Sequence, residues 1–323
     1  MSLAVEVLVP GRDAEPGYWP SLRERAGLLA DWRWDVMTAQ AAGQPGRRLV
    51  TVVHGGDGPV AVVGADRIGR LGGLHVRSPA SATVPGWWLA PGTPVGALRA
   101  YAVSMRRALG IGCAGVLLRQ VGETDVRELR AGRRPAVVRA TEPVWRLSTA
   151  DWTDRDDWLR TLGKKRRSSL RTGARALDEA VETRVEAGSD IEAPAVANLM
   201  RHNEAKYRRF GRAHVRESPD HLARLLRCPD VVCTSYRERG SGRLLGLGIV
   251  FDHPEWPVWH RWSMVPVDAG GVKGLYFGQV VRLVDWALAG GKRGVLLGKG
   301  LAEVKAAVGA APVAQYAVAL PAW

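Results

Sequence analysis

Apolar residues along this chain recur with two periods, and the switch between them happens in the same order twice. RRLVTVV (Arg47–Val53) and PVAVVGADR (Pro59–Arg67) are runs of β-branched and small apolar residues separated by HGGDG. A glycine-rich break between two such runs predicts a β-hairpin. HVRSPASATVPGWW (His75–Trp88) reads as a further extended segment. TPVGALRAYAVSMRRALG (Thr93–Gly110) changes to a helical repeat, with Thr93 and Pro94 as its start signals. AGVLLRQV and AVVRATEPVWRL then return to the strand pattern. Ahead of the hairpin, residues 1–30 read as a leading segment punctuated by Pro10, Pro16 and Pro20, and Asp31–Gly43 as a helix.

From Trp158 the order repeats. Helical stretches around Trp158–Ala180 and Ile191–Tyr207 come first, then VVCTSYRE and RLLGLGIVFD about the turn RGSG, then VWHRWSMVPV. The helix GLYFGQVVRLVDWALAGG, the strand RGVLLG, the short helix LAEVKAAVG and the strand APVAQYAVAL follow. The halves share an order of elements and no residue-level identity. The prediction is an α/β (α+β) chain of two tandem domains, each a mixed, mostly antiparallel sheet with flanking helices. At ~150 residues per domain, they are expected at 1–150 and 151–323. A sheet that opens around a central helix is the layout of the GNAT acyltransferase fold.

Composition narrows the classes. Hydrophobic residues make up 46% and charged residues 24% of the 323 positions, which is ordinary for a globular chain and excludes disorder as the default. No apolar run approaches the ~18–20 residues that cross a bilayer. The N-terminus has neither a basic n-region nor a small-residue cleavage site, so no secretory signal is expected. Cys113, Cys228 and Cys233 lack metal-ligand spacing, and an odd, sparse set fits a reducing, cytoplasmic setting. His202, His214 and His221 are scattered among charges, so no metal is expected. No Ser/His/Asp order, HExxH or CxxC offers another mechanism.

Charge alters this picture. The net charge is +14, a field that attracts polyanions, although heavy use of Arg and Ala would produce it without any partner. TLGKKRRSSLRTGARAL concentrates it in Lys164, Lys165, Arg166, Arg167, Arg171 and Arg175. On a helix Arg167, Arg171 and Arg175 form one stripe, with Leu170, Ala174, Leu177 and Val181 opposite. Guanidinium forks grip phosphate oxygens. A second cluster, Arg201–Arg216, interleaves Lys206, Arg208 and Arg209 with Tyr207 and Phe210, a mixture suited to single-stranded nucleic acid. The alternative for both is a solvated helix face.

WLRTLGKKRRSSLR (Trp158–Arg171) resembles the helix that opens the second domain of the Fem family, and equally the related peptidogalycan-biosynthesis GNAT-like group. YFGQVVRLVDWALAGG with LLGKGLAEVKAAVGA is similar to that family's C-terminal pattern. The resemblance covers Trp158 to about Leu320; over residues 1–150 it is architectural. It implies a non-ribosomal aminoacyl transferase with no resident cofactor. The co-substrate would be an aminoacyl-tRNA, and the acceptor an amine on a peptidoglycan precursor or a secondary metabolite. It also implies that Lys305, matching the family's lysine before the last strand, lies near the tRNA 3′ end. A fixed cation there would stabilise charge on the carbonyl and ribose oxygens; a helix-end lysine meeting its own carbonyls, or pairing with Glu303, is the alternative.

An ordinary CoA-dependent GNAT N-acyltransferase would carry [QR]xxGx[GA] at the start of the central helix. Here the segment is GVKGLY, Gly271–Tyr276: Gly274 is kept, but Gly271 replaces Gln or Arg and Tyr276 replaces the small residue, which weakens acyl-CoA as the donor and leaves it as the second reading. A non-catalytic RNA-binding protein on this fold is a third. In PEWPVWHRW, strand alternation puts Trp256, His260 and Trp262 on one face and Trp259 on the other. Trp256 and Trp262, with Tyr276, are candidates for a substrate pocket wall, against plain core packing.

Overall fold

The computed structural model describes residues 4–42, 47–56, 58–68, 72–110, 113–131, 135–208 and 219–322. Packing divides the chain into two units, Met1–Val144 with Val313–Trp323, and Trp145–Pro312. The C-terminal segment thus belongs to the first unit, where the sequence placed it in the second half.

Unit 1 contains β1 (Ala4–Leu8), α1 (Trp19–Arg25), α2 (Trp34–Ala41), β2 (Arg48–Gly55), β3 (Gly58–Ile68), β4 (Gly73–Val76), β5 (Trp87–Leu89), α3 (Ala97–Leu109), β6 (Gly115–Val121), α4 (Glu123–Arg130) and most of β7 (Val137–Ser148). Its strands run in the order β1-β2-β3-β4-β6, with β5 also on β3. The pair β4 and β6 is parallel, and β2–β3 and β3–β4 are antiparallel. Both faces of the sheet are covered, which explains why β2 and β3 read as near-continuous apolar runs. Leu49, Val63 and Ala65 pack with Leu98, Tyr101, Ala102 and Met105 of α3. Val50, Val52 and Val62 point the other way, onto Trp19, Leu22, Trp32 and Met37. Sequence reading passed over β1 and α1 inside the proline-punctuated leader, and over α4.

Unit 2 contains the end of β7, α5 (Arg155–Thr161), α6 (Lys164–Ala180), β8 (Val181–Ala187), α7 (Ala193–Arg208), α8 (Pro219–Leu226), β9 (Val231–Glu238), β10 (Leu244–Phe251), β11 (Val258–Met264), α9 (Leu275–Ala289), β12 (Gly294–Leu296) and α10 (Ala302–Ala306). The order is β7-β12-β11-β10-β9-β8, with β11–β12 parallel and the other pairs antiparallel. Hairpin, third antiparallel strand, helix and parallel strand thus occur as β2-β3-β4-α3-β6 and again as β9-β10-β11-α9-β12. The last strand, β13 (Ala311–Pro321), pairs antiparallel with β6, so it completes unit 1.

The predicted helix Trp158–Ala180 is two helices. Asp154 caps α5 by accepting from the Asp157 N–H at 2.9 Å. Leu162 is extended and buried, and Gly163 starts α6. Val181, expected on the apolar stripe of this helix, opens the edge strand β8. Among the described residues no helix is long and apolar enough to cross a membrane, and no cluster of His, Cys, Asp and Glu has metal-binding geometry.

Candidate functional site

The basic run forms helix α6 as its pattern predicted. Leu170 and Leu177 are its buried residues. Leu177 reaches α9 where Gly278 leaves room: a Cβ at Gly278 would sit 2.5 Å from Leu177 Cδ1. On the outer side Lys164, Arg167, Ser168, Arg171, Thr172 and Arg175 line a shallow groove of about 270 Å³. Arg171 donates to Asp156 at 2.7 Å, so one acid enters a face that the run itself leaves cationic. Lys164, Lys165, Arg167 and Arg175 make no ion pair among the described residues. In the second basic cluster, Lys206 and Arg208 fall in the last turns of α7, and Arg209 lies outside the described residues.

Arg166 leaves the groove and lies over the Phe277 ring, 4.8 Å from its centroid. Phe277 opens an aromatic cluster at the start of α9. Tyr276 lies 5.7 Å from Phe277, 5.3 Å from Trp259 and 6.3 Å from Trp262; Trp262 lies 5.8 Å from Tyr236. Trp262 and Tyr276, both expected in a pocket wall, therefore meet.

Strand alternation failed for the tryptophans. The β10–β11 register shifts between Ile249 and Val250, whose partners are Arg261 and Trp259. His260 is the extra residue of a bulge, which turns Trp259 onto the same side as Trp262, at 6.1 Å. His260 instead stacks on Phe251 at 4.1 Å, and burial holds its imidazole well below the ordinary value. Trp256 precedes the strand and takes Arg146 and Arg293 over its ring, at 4.9 and 6.0 Å. It does not share a face with Trp262.

The floor of the cluster holds groups that the sequence reading did not single out. Gln279 of α9 is fully buried, and its Oε1 accepts from the Tyr236 hydroxyl at 3.0 Å. Its Nε2 has no partner among the described residues. Gly248 makes this possible, since a Cβ there would lie 2.5 Å from Gln279 Nε2. The glycines of LLGLGIVF were the available signal: glycine inside a strand marks a close approach.

Lys305 lies on α10 and is 3% exposed. Its ammonium donates to the Lys299 carbonyl at 2.8 Å, in the loop before its helix. A buried ammonium needs such a partner. The loop is bent to supply it: Gly298, Gly300 and Leu301 all have left-handed backbones, Leu301 with φ 52°. A left-handed leucine is strained, and such strain persists only where the surroundings hold it. Trp158 fixes the other side of the turn by donating its indole N–H to Val308 O at 2.9 Å.

Solved structures of similar overall fold identify the architecture. The C-terminal domain of a putative lysylphosphatidylglycerol synthetase from Agrobacterium fabrum superposes with a TM-score of 0.61 at 13% identity, over 93% of this chain and 92% of that one. FemX does so at 0.59 and 8%, over 88% and 90%. The fold is the Fem-like tandem GNAT fold. A conserved protein of unknown function from Bacteroides thetaiotaomicron shares it, with a TM-score of 0.64 at 9% identity over 97% and 100%. No protein-family description and no curated protein matches the sequence. Within the Fem-like fold, α9 is the central helix of unit 2, and the aromatic cluster sits between that helix and β9–β11.

Proposed function

We propose that this chain transfers an aminoacyl group from an aminoacyl-tRNA to an amine, forming an amide bond. The observation that carries the reading is the junction of Arg166 and Phe277, where a groove of cations meets a cluster of rings. The acceptor end of a tRNA has the matching chemistry, a phosphate-rich duplex running into unpaired bases. Cations hold the first and ring faces the second. The shared fold with FemX supports the same reading.

In the reaction, the neutral acceptor amine attacks the ester carbonyl. A C–N bond forms, the C–O bond to the ribose breaks, and the proton lost by the amine ends on the ribose hydroxyl. Negative charge passes from the carbonyl oxygen to the ribose oxygen. Lys305 would act by stabilising that charge, its position fixed by Lys299 O. No general base is required when the amine arrives neutral, and no cofactor is called for.

The test is binding of charged and uncharged tRNA, with CoA titrated in parallel and amine acceptors supplied to the charged complex. Preference for charged tRNA, without CoA binding, supports the reading. Stoichiometric CoA binding, with tRNA binding indifferent to charging, replaces it by a CoA-dependent N-acyltransferase. RNA binding without transfer to any amine leaves a binding protein. Lys305→Met should fold and bind tRNA while transfer falls; full transfer by that variant removes Lys305 from the chemistry.

A further inference from the structure

The sheet of unit 1 carries a row of charge on the face opposite α3. Arg48 of β2 pairs in register with Asp66 of β3, and Asp66 with His75 of β4. Arg48 and Asp66 are 5% and 4% exposed and meet at 3.0 Å; Arg77 Nε reaches the second oxygen of Asp66 at 2.6 Å. Beyond them the parallel ladder of β4 and β6 pairs Leu74 with Val116, His75 with Leu117 and Val76 with Leu118, and ends there. The next residues are Arg77 and Arg119. Alternation puts both on the face of His75. The Arg77 N–H continues the β3–β4 pairing to Gly64 O at 3.0 Å, while the β4–β6 ladder stops at Val76 and Leu118, so Arg77 and Arg119 stand at the open end of that ladder.

Charge at this opening is not balanced. Asp66 serves both Arg48 and Arg77. The other acid nearby, Asp31, is buried, accepts from Ser78 Oγ at 2.6 Å and Ala80 N at 2.9 Å, and is pushed by burial towards its neutral form. Arg119 has no carboxylate among the described residues, and its Nε is buried without a partner, as is His75 Nε2. Burial, then Arg77 and Arg119, hold His75 neutral. Gln120, the next residue, is 5% exposed, has no partner for Oε1 among the described residues, and takes φ 58°, strained for a side chain of its size. Buried polar groups left without partners beside a guanidinium that has no carboxylate are costly unless something fills the gap.

We propose that the opening between β4 and β6 of unit 1, walled by His75, Arg77 and Arg119, binds an oxyanion: the carboxylate or phosphoryl group of a small molecule. Paired donors of arginine suit either group. Gln315 donates to Thr83 O at 2.9 Å and so ties the loop after β4 to β13, giving the site a fixed side. Every residue involved belongs to unit 1, and the site stands whether or not tRNA is the donor.

The experiment uses full-length protein with labelled histidine, carrying Arg167→Ala, Arg171→Ala and Arg175→Ala to remove the competing groove. Inorganic phosphate and acetate are titrated separately while the ring nitrogens of His75, assigned with His75→Gln, are followed by NMR. A saturable shift of His75 is expected, and the anion that saturates it at lower concentration names the group. Arg119→Gln should weaken that binding by about tenfold or more. Should that variant not fold, Arg119→Met, which keeps the packing of the stem, takes its place. No His75 shift with either anion, or undiminished binding by a folded Arg119 variant, overturns the proposal.

Discussion

Replacing Arg167 and Arg175 together by Ala removes two cations that line the α6 groove and make no ion pair among the described residues. Each phosphate that a protein cation no longer neutralises lowers the slope of log K against log salt by about 0.9 for a duplex and 0.7 for a single strand. Two such phosphates therefore lower it by about 1.4 to 1.8. Between about 50 and 200 mM salt, wild-type protein should lose about tenfold more affinity for tRNA than the variant. Arg171 differs because Asp156 already holds it at 2.7 Å. Arg171→Ala should change the slope by less than a single phosphate would, and Asp156→Asn should steepen it by freeing that guanidinium. Fluorescence anisotropy of labelled tRNA over a salt series reads all three. A slope unchanged by the double variant refutes the reasoning and leaves α6 a solvated face.

Other predictions follow from packing and protonation. Gly248→Ala drives a methyl to within 2.5 Å of Gln279 Nε2 and should cost about 1–3 kcal/mol in urea unfolding. Adding Gln279→Ala should restore part of that loss, and equal, additive losses would argue against the close approach. Trp158→Phe leaves Val308 O without its indole donor and should cost about 1–3 kcal/mol, with transfer falling more than tRNA binding as the Lys305 turn loosens. His75 is held down to about 4 from 6.5, by burial first and then by Arg77 and Arg119. Its folded value lies below its unfolded one, so its stabilisation is present above pH 6.5 and lost as pH falls towards 4. His75→Gln should flatten the fall of the urea midpoint in that window; parallel curves for the two proteins would refute this.

The amphipathic face of α6 was legible because it is local: Leu170 and Leu177 against an arginine stripe need only one helix to declare them. The repeated hairpin–strand–helix–strand order was legible for the same reason. The facing of Trp259 was not, because the bulge at Ile249–Val250 arises from pairing two strands and leaves no mark on either alone. Strand β8 was missed because Val181 reads as the end of the helix stripe, although Val181, Thr183, Val185 and Ala187 alternate with Glu182, Arg184 and Glu186. Most of unit 1's polar row escaped notice because Arg48, Asp66, His75 and Arg119 lie on four strands and become neighbours only through register. Gln279 likewise reads as one more position on a helix until Gly248 is brought under it.

The strand β13 has a consequence for how the chain is made. Val318 and Leu320 belong to the core around α3, and they lie on the last strand. A ribosome emits β1 to α4 long before that strand exists, so unit 1 waits, incomplete along β6, until Ala311–Pro321 has been made. The unit spanning Trp145–Pro312 can close first. The order of folding on the ribosome is then the reverse of the order of synthesis, and a nascent chain that stalls before Ala311 exposes an open strand edge to whatever chaperone stands at the exit.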